Sequence, residues 1–208
     1  EESCTGDPAR RMGNDYVFQM LAMGNVETLD RYGLKSIVTA CPHCFNSLGN
    51  EYGQLGGHYE VVHHSAYLSR LLTSGRLLVA GEGATASATL HDPCYLTRYN
   101  GVIDPQRNVL GAVAGLELRE MENRGRQTFC CGAGGGRMWM EETLGTRINT
   151  NRTDEAIATG AERIAIGCPF CRVMLSDGLT SAKAEGRARE EVEVLDVAQM
   201  LLASVKGE

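Results

Sequence analysis

Gly33-Leu-Lys-Ser-Ile-Val-Thr-Ala-Cys-Pro-His-Cys44 and Gly160-Ala-Glu-Arg-Ile-Ala-Ile-Gly-Cys-Pro-Phe-Cys171 are two versions of one pattern, 127 residues apart. Each is a short apolar run of strand character that ends in a cysteine. Proline then follows where a helix can begin, and a second cysteine lies one turn in. A strand running into a helix at a Cys-x-x-Cys places two thiols at the carboxyl end of a sheet. The pattern therefore predicts α/β architecture and a site at that edge.

The repeat extends outward from these two segments. Thirty-six residues separate Cys131 from Cys168, and thirty-six separate Cys4 from Cys41; Arg10 falls on Arg137. Past the Cys-x-x-Cys the second copy has six extra residues, after which Glu60-Val-Val-His-His64 meets Glu193-Val-Leu-Asp-Val197. One long repeat means two related domains and not a solenoid, whose periods are shorter and more numerous. The expected domains are a partial first copy over 1–80 and a complete second copy over 81–208, with 71–86 as the connection.

In the complete copy, Ala88–Leu90, Leu116–Arg119, Arg163–Ile166 and Val192–Leu195 read as strands. Residues 138–158 read as a helix, and another follows Val192–Leu195 and runs through Ser204. The expectation is a pair of pseudo-repeated α/β lobes, each with a small parallel sheet and flanking helices. The first lobe is expected to be N-terminally truncated, keeping a helix over 8–31 and strands over 35–39 and 59–62. Its first two strands and its counterpart of Cys94 are expected before residue 1. Cys94, Cys130–Cys131 and Cys168 each follow a strand, so they gather at one sheet edge.

All eight cysteines belong to this pattern: Cys94, Cys130, Cys131, Cys168 and Cys171 in the second copy, Cys4, Cys41 and Cys44 in the first. Thiolate ligation of an iron–sulfur cluster suits them best. Disulfides would require a strained bridge between adjacent Cys130 and Cys131. A zinc-binding structural module has four thiolates in the two Cys-x-x-Cys pairs, but it leaves Cys94 and Cys130–Cys131 without a role. A dithiol exchanger is the third alternative, because a helix N-terminus lowers the first thiol's pKa.

Gly132, Gly134 and Gly135, with Gly136, follow the cysteine pair. Such a loop brings backbone N–H groups to an anionic cluster, so Gly132, Gly134, Gly135 and Arg137 are nominated as cofactor-binding. The stretch matches a dinucleotide fingerprint weakly, because Arg137 stands where the last small residue belongs. Arg10 and Arg98 are further cations able to offset cluster charge. His63, His64 and Asp196 end the fourth strands and are candidates for proton transfer or capping. His91 and Asp92 are candidates for supporting a ligand from behind. Met138, Trp139 and Met140 are expected in the core. Ser3 stands where the second copy has Cys130, and serine oxygen is a poorer cluster ligand than thiolate, so the first site is expected to be empty or unstable.

Twenty Lys and Arg against 26 Asp and Glu leave a net charge of −6, with no basic stripe, which argues against nucleic acid as a partner. No apolar run approaches the roughly 20 residues of a membrane span. The 25 glycines are nearly twice the usual share. A cytoplasmic location is expected, where thiols stay reduced.

His-Asp-Pro-Cys-Tyr-Leu (91–96), Cys-Cys-Gly-Ala-Gly-Gly-Gly-Arg-Met-Trp (130–139) and Cys-Pro-Phe-Cys (168–171) resemble the cysteine-rich CCG domain. That family includes the catalytic subunit of heterodisulfide reductases and iron–sulfur subunits of several dehydrogenases. The resemblance covers nearly the whole chain. It implies a four-iron cluster of 4Fe-4S type, in some members non-cubane, held by Cys94, Cys130, Cys131, Cys168 and Cys171. Glu-Ser-Cys-Thr-Gly-Asp-Pro-Ala-Arg-Arg (2–11), Cys-Pro-His-Cys-Phe-Asn (41–46) and Arg-Met-Trp-Met-Glu-Glu (137–142) are most similar to the membrane-bound iron–sulfur proteins associated with electron-transfer flavoprotein. This implies ferredoxin-like and membrane segments upstream, placement at the inner face of the membrane, a flavoprotein electron donor and a quinone acceptor. The implied function is an electron-transfer module of an iron–sulfur oxidoreductase. The alternatives are a heterodisulfide or thiol–disulfide reductase site, with a disulfide acceptor, and the zinc module.

Overall fold

The computed structural model describes residues 3–79 and 86–206. The expected boundary between residues 80 and 81, and most of the far end of the 71–86 connection, lie outside the described residues. The chain enters through α1 (Asp7–Arg11) and α2 (Asp15–Arg31), then β1 (Ser36–Thr39), α3 (Pro42–Asn46), β2 (Glu60–His63) and α4 (His64–Thr73). The second half runs β3 (Ala86–Leu90), α5 (Asp104–Gly111), β4 (Leu116–Leu118), α6 (Ile148–Ala158), β5 (Arg163–Ile166), α7 (Pro169–Ala184), β6 (Glu193–Asp196) and α8 (Val197–Lys206). Among the described residues all strand pairing is parallel, in a two-stranded sheet β1-β2 and a four-stranded sheet β4-β3-β5-β6. Among the described residues no helix is long and apolar enough to cross a membrane.

The repeat in sequence is a repeat in register. Ser36 pairs with Glu60 and Ile37 with Val61; at the equivalent places Arg163 pairs with Glu193 and Ile164 with Val194. Thus β1 and β2 correspond to β5 and β6, and the strands of both pairs end one residue before equivalent features: Ala40-Cys41 after β1, Gly167-Cys168 after β5. In the complete sheet the chain turns from β3 to one side for β4 and to the other for β5. The crevice at that switch, outside the carboxyl ends of β3 and β5, is where sheets of this kind hold their ligands. Cys94 and Cys168 flank it.

Packing explains why the two halves stay together. Ile164 and Ile166 of β5 bury against Leu175 and Leu179 of α7 and Ala156 of α6. On the opposite face, Ala88 and Leu90 of β3 pack with Val109 and Leu110 of α5 and Met200 and Leu201 of α8. Leu68 and Leu72 of α4, from the first half, join that same cluster. A leucine fully withdrawn from water contributes about 1.5–3 kcal/mol, so α4 fastens one half onto the other. The first half keeps a core of its own around Phe18, Ala22, Leu48 and Tyr52.

Equivalent residues of the two copies meet each other. His43 corresponds to Phe170, and their rings contact edge to face at 5.0 Å. His63 corresponds to Asp196, and the next residue, His64, places Nε2 2.8 Å from Asp196 Oδ1. The halves are therefore related by an approximate two-fold, as in a self-complementary dimer interface.

Two expected helices are corrected. The span 8–31 breaks at Gly13, which takes φ +81°, so Asn14 caps a new helix by accepting from the Val17 amide. The span 138–158 is helical only from Ile148. Before it, Gly134–Trp139 forms a tight 3-10 turn with Gly135 and Gly136 at positive φ, and 140–147 is irregular. Glu142 holds that segment, accepting from the Ile148 amide at 3.0 Å and from Arg137 at 2.9 Å. Trp139 and Met140 are consequently 62% and 55% exposed and lie outside the core, whereas Met138 packs against the buried cysteines.

Candidate metal centre

All eight cysteines are free thiols. The fold draws seven of them into one continuous string. Cys130 acts most strongly on Cys94, Cys131 on Cys130, and Cys131 on Cys171. Cys168 is governed by Cys171 and then by Cys41, and Cys44 by Cys41. The string therefore crosses the approximate two-fold at Cys41 and Cys168, themselves equivalent residues. Cys131, Cys168 and Cys171 are buried, and Cys94 and Cys130 partly so. Cys4, the eighth, is exposed and accepts from the Gly6 amide at 3.4 Å.

Crowding divides the thiols electrostatically. Bonds from Cys131 and Cys94, helped by the Gly132 amide at 3.2 Å, hold Cys130 far below its ordinary pKa. Bonds from Cys171 and Cys41 do the same for Cys168. Hydrogen bonding to those two, or to the next thiol in line, pushes Cys94, Cys131, Cys171, Cys41 and Cys44 up, with burial adding to it. So many sulfurs in a largely desolvated site can all be thiolates only if cations share their charge. A backbone donor is already aimed at them, the Gly132 amide to Cys130, and the neighbouring amides of Ala133 and of Phe170 and Cys171 favour the thiolate forms of Cys131 and Cys168. An all-sulfur donor set with N–H groups directed at the sulfurs fits an iron–sulfur cluster.

The nominated glycines separate. Gly132, at φ +91°, presents its amide to Cys130, and a Cβ there would lie 3.2 Å from Ile148. Gly135 and Gly136 supply the left-handed turn, and Gly136 lies against Met12 of the first half. Gly134 has open space around it. Arg137 is half exposed and pairs with Glu142, and Arg10 pairs with Asp15. Arg98 donates to the Thr128 carbonyl, which braces the segment leading to Cys130. The Ser3 hydroxyl is directed at Asn25, 3.2 Å away.

A buried polar scaffold lies behind the sulfurs. Asp92, fully buried, takes both Arg107 nitrogens at 2.8 and 2.9 Å and the Gly125 amide at 2.6 Å. Arg152, also fully buried, donates to His91 Nδ1 at 2.9 Å. Burial, and then the Arg152 charge, push His91 down to about 3. The His91, Cys131 and Cys171 ligand atoms all lie within 4.8 Å of one another. His63 reaches across the two-fold: Nε2 sits 3.0 Å from the Gly167 carbonyl, and the Ala40 backbone also bonds the ring. It thus touches the residue before Cys168 and the residue before Cys41. Burial, then His64, push it down to about 4.

Sequence reasoning passed over Asp7, His43, Arg107 and Arg152. His43 Nδ1 lies 2.7 Å from Asp7 Oδ2, and the ring stacks on Tyr95 at 4.2 Å. Burial opposes ionisation of Asp7, but His43 and Arg11 bring it below the usual carboxylate range. With Arg11, Trp139 and Phe170, Asp7 and His43 border a narrow cleft against the glycine loop. The repeat carried a signal for Arg152, because the 127-residue shift lays it on Asn25, another buried residue that hydrogen-bonds the cysteine loop of its own copy.

Comparison with known proteins bears on the same residues. The family model of the CCG cysteine-rich domain matches residues 1–49 and 88–176. The chain is 45% identical to the EtfAB:quinone oxidoreductase of Syntrophomonas wolfei, over 97% of this chain and 28% of that protein. It is 43% identical to the "Probable iron-sulfur-binding oxidoreductase FadF" of Bacillus subtilis, over all of this chain and 29% of that protein. It is 33% identical to one of the subunits of the dihydromethanophenazine:CoB--CoM heterodisulfide reductase of Methanosarcina mazei, over 94% of this chain and 49% of that protein. The chain thus spans between about a quarter and half the length of these relatives.

Proposed function

We propose a function that proceeds from family membership: this chain belongs to the cysteine-rich CCG domain family, and it is the electron-transfer module of an iron–sulfur oxidoreductase. The observation that carries the reading is the string of thiols from Cys94 to Cys44, gathered from four chain segments into one buried to half-buried site with the Gly132 amide aimed at a sulfur. In this reading Cys94, Cys130, Cys131, Cys168 and Cys171 hold a four-iron cluster in the complete copy over 81–208. Cys41 and Cys44, and Cys4 beyond them, belong to the site of the first copy over 1–80. When bound, a cluster of this kind takes up and releases electrons one at a time, at a potential set by its ligands, hydrogen bonds and exposure.

The protein's own contribution is placement. Proline at the start of α7 and the extended backbone of Cys168 place that cysteine at the helix N-terminus. The glycine loop lets amides approach Cys130 and Cys131 without Cβ obstruction. The Asp92–Arg107 pair fixes the loop that carries Cys94. Asp7, Arg11, His43 and Trp139 close over the glycine loop that follows the cysteine pair, and so cover that side of the site. The finer reading follows the S. wolfei and B. subtilis relatives: a flavoprotein donor and a quinone acceptor, reached through further segments of a larger protein at the inner face of the membrane.

Iron and acid-labile sulfide analysis with low-temperature EPR tests the cluster. Anaerobically reconstituted chain is expected to hold roughly four irons at the second-copy site, lost in a Cys130→Ser/Cys131→Ser variant that still folds. Folded chain that takes up zinc and no iron would overturn the reading in favour of a structural zinc module.

A further inference from the structure

Resting on the cluster reading above, we propose that His91 is a hydrogen-bond donor to a sulfur of the cluster, through Nε2–H, and not a metal ligand, with Arg152 as the positioning residue that decides between the two. The imidazole stands where either role is available by distance, since its ligand atom lies within 4.8 Å of Cys131 and Cys171 sulfurs. The choice is made on the other side of the ring.

Arg152 Nε lies 2.9 Å from His91 Nδ1. A guanidinium has donors only and does not lose its proton in proteins. Nδ1 must therefore accept, and the ring hydrogen must be on Nε2. Coordination through Nε2 needs the opposite tautomer, with a hydrogen on Nδ1 pointing at the Arg152 N–H. An imidazolium meets the same collision. Geometry alone leaves the neutral Nε2–H form.

Neither partner is free to turn away. Arg152 is 0% exposed, and its other nitrogens are held by the Asn123 carbonyl at 2.9 Å, Glu155 at 2.5 Å and Thr128 Oγ1 at 3.3 Å. The His91 amide donates to the Ala165 carbonyl at 2.9 Å, so its main chain is anchored at the β3–β5 ladder. The next residue is clamped by Arg107. Nε2 itself is buried and has no hydrogen-bond partner among the described residues. A buried donor is rarely left unpaired, and cysteine sulfurs lie within the group that includes its ring. Sulfur accepts more strongly as it becomes more negative, so a donor here favours the reduced cluster and raises its potential.

The test uses the 208-residue chain, reconstituted anaerobically, with variants His91→Leu, which keeps bulk and loses the donor, and His91→Gln, whose amide nitrogen reaches a similar place. Iron content tests the cluster reading by itself. With the full iron complement in all three, EPR-monitored titration is expected to shift the midpoint of His91→Leu negative. The shift corresponds to roughly a tenfold change in the oxidation equilibrium, about 59 mV for one electron. His91→Gln is expected to recover most of it. Electron–nuclear double resonance in D2O should show an exchangeable deuteron near the wild-type cluster that is absent in His91→Leu. An unchanged midpoint with no such deuteron overturns the proposal. So does nitrogen hyperfine coupling of directly coordinated strength, or loss of iron from both variants while wild type keeps it. If His91→Leu fails to fold, 15N-labelled histidine in the reconstituted wild type decides: weak 15N coupling with a proton on Nε2 supports the proposal, and coupling of directly coordinated strength overturns it. If no cluster forms at all, the cluster reading fails separately, and 15N shifts of labelled histidine in the cluster-free chain still read the tautomer: a proton on Nδ1 overturns the assignment.

Discussion

Replacing Arg107 by methionine isolates the contribution of the buried scaffold to the cysteine loop. In the native chain the guanidinium grips Asp92 with two charge-assisted bonds of 2.8 and 2.9 Å and Glu120 with bonds of 2.7 and 3.0 Å. The Asp92 side chain is wholly buried, and those of Arg107 and Glu120 are 21% and 27% exposed. Methionine keeps most of the apolar stem, but it leaves the Asp92 carboxylate with the Gly125 amide as its remaining charge-stabilising partner. Removing one member of a buried pair costs about 3–5 kcal/mol, because the other charge stays desolvated. Partial access of water along the former Arg107 path favours the lower end, about 3 kcal/mol. For a chain of this size that lowers the melting midpoint by about 6–12 °C. Adding Asp92→Asn removes the stranded charge and is expected to restore at least about 1 kcal/mol relative to Arg107→Met alone. Urea unfolding of the reduced, metal-free chain, followed by circular dichroism and extrapolated linearly, measures all three. A loss under about 1 kcal/mol, or a double variant no more stable than Arg107→Met, would refute the reasoning and reduce the pair to an ordinary surface bridge.

Acid should destabilise the metal-free chain in a defined window. The unfolded chain protonates His63 near pH 6.5, but the folded chain, through burial and His64, only near pH 4. The His63 contribution is thus complete above about pH 6.5 and lost as pH falls toward 4, by about 3 kcal/mol at the lower end. His91, held down to about 3, adds in the same direction, so His63→Gln should flatten part of the slope; an unchanged slope over pH 4–6.5 would contradict the assignment. Gly132→Ala must adopt φ +91° with its Cβ 3.2 Å from Ile148, which costs about 1–2 kcal/mol and displaces the amide from Cys130. Its unfolding midpoint and iron uptake should both drop, while Gly134→Ala, with open space at that position, should match wild type in both.

Much of this architecture was legible because it is written in periodic or repeated form. Strands of apolar residues ending in Cys-Pro-x-Cys, laid over each other by a fixed shift, led to the parallel pairs, and the register Ser36–Glu60 and Arg163–Glu193 follows that shift. The helices over 8–31 and 138–158 misled because apolar spacing continues through Gly13 and Gly135–Gly136. Left-handed backbone breaks a helix there without disturbing the hydrophobic pattern. Trp139 and Met140, apolar in type, are exposed because the turn before α6 carries them outward.

The repeat, the parallel strands and the set of cysteines could be read from the order of residues alone, because each depends on neighbours along the chain or on a spacing that can be counted. That Cys41 lies beside Cys168, that His63 touches the residues before both, and that Arg152 leaves His91 its Nε2 hydrogen emerged only from the folded chain. Those pairings join residues up to 127 positions apart in sequence. They arise when α4 and the equivalent edges of two sheets pack across an approximate two-fold, and desolvation then forces every buried polar atom there to find the partner that the packing supplies.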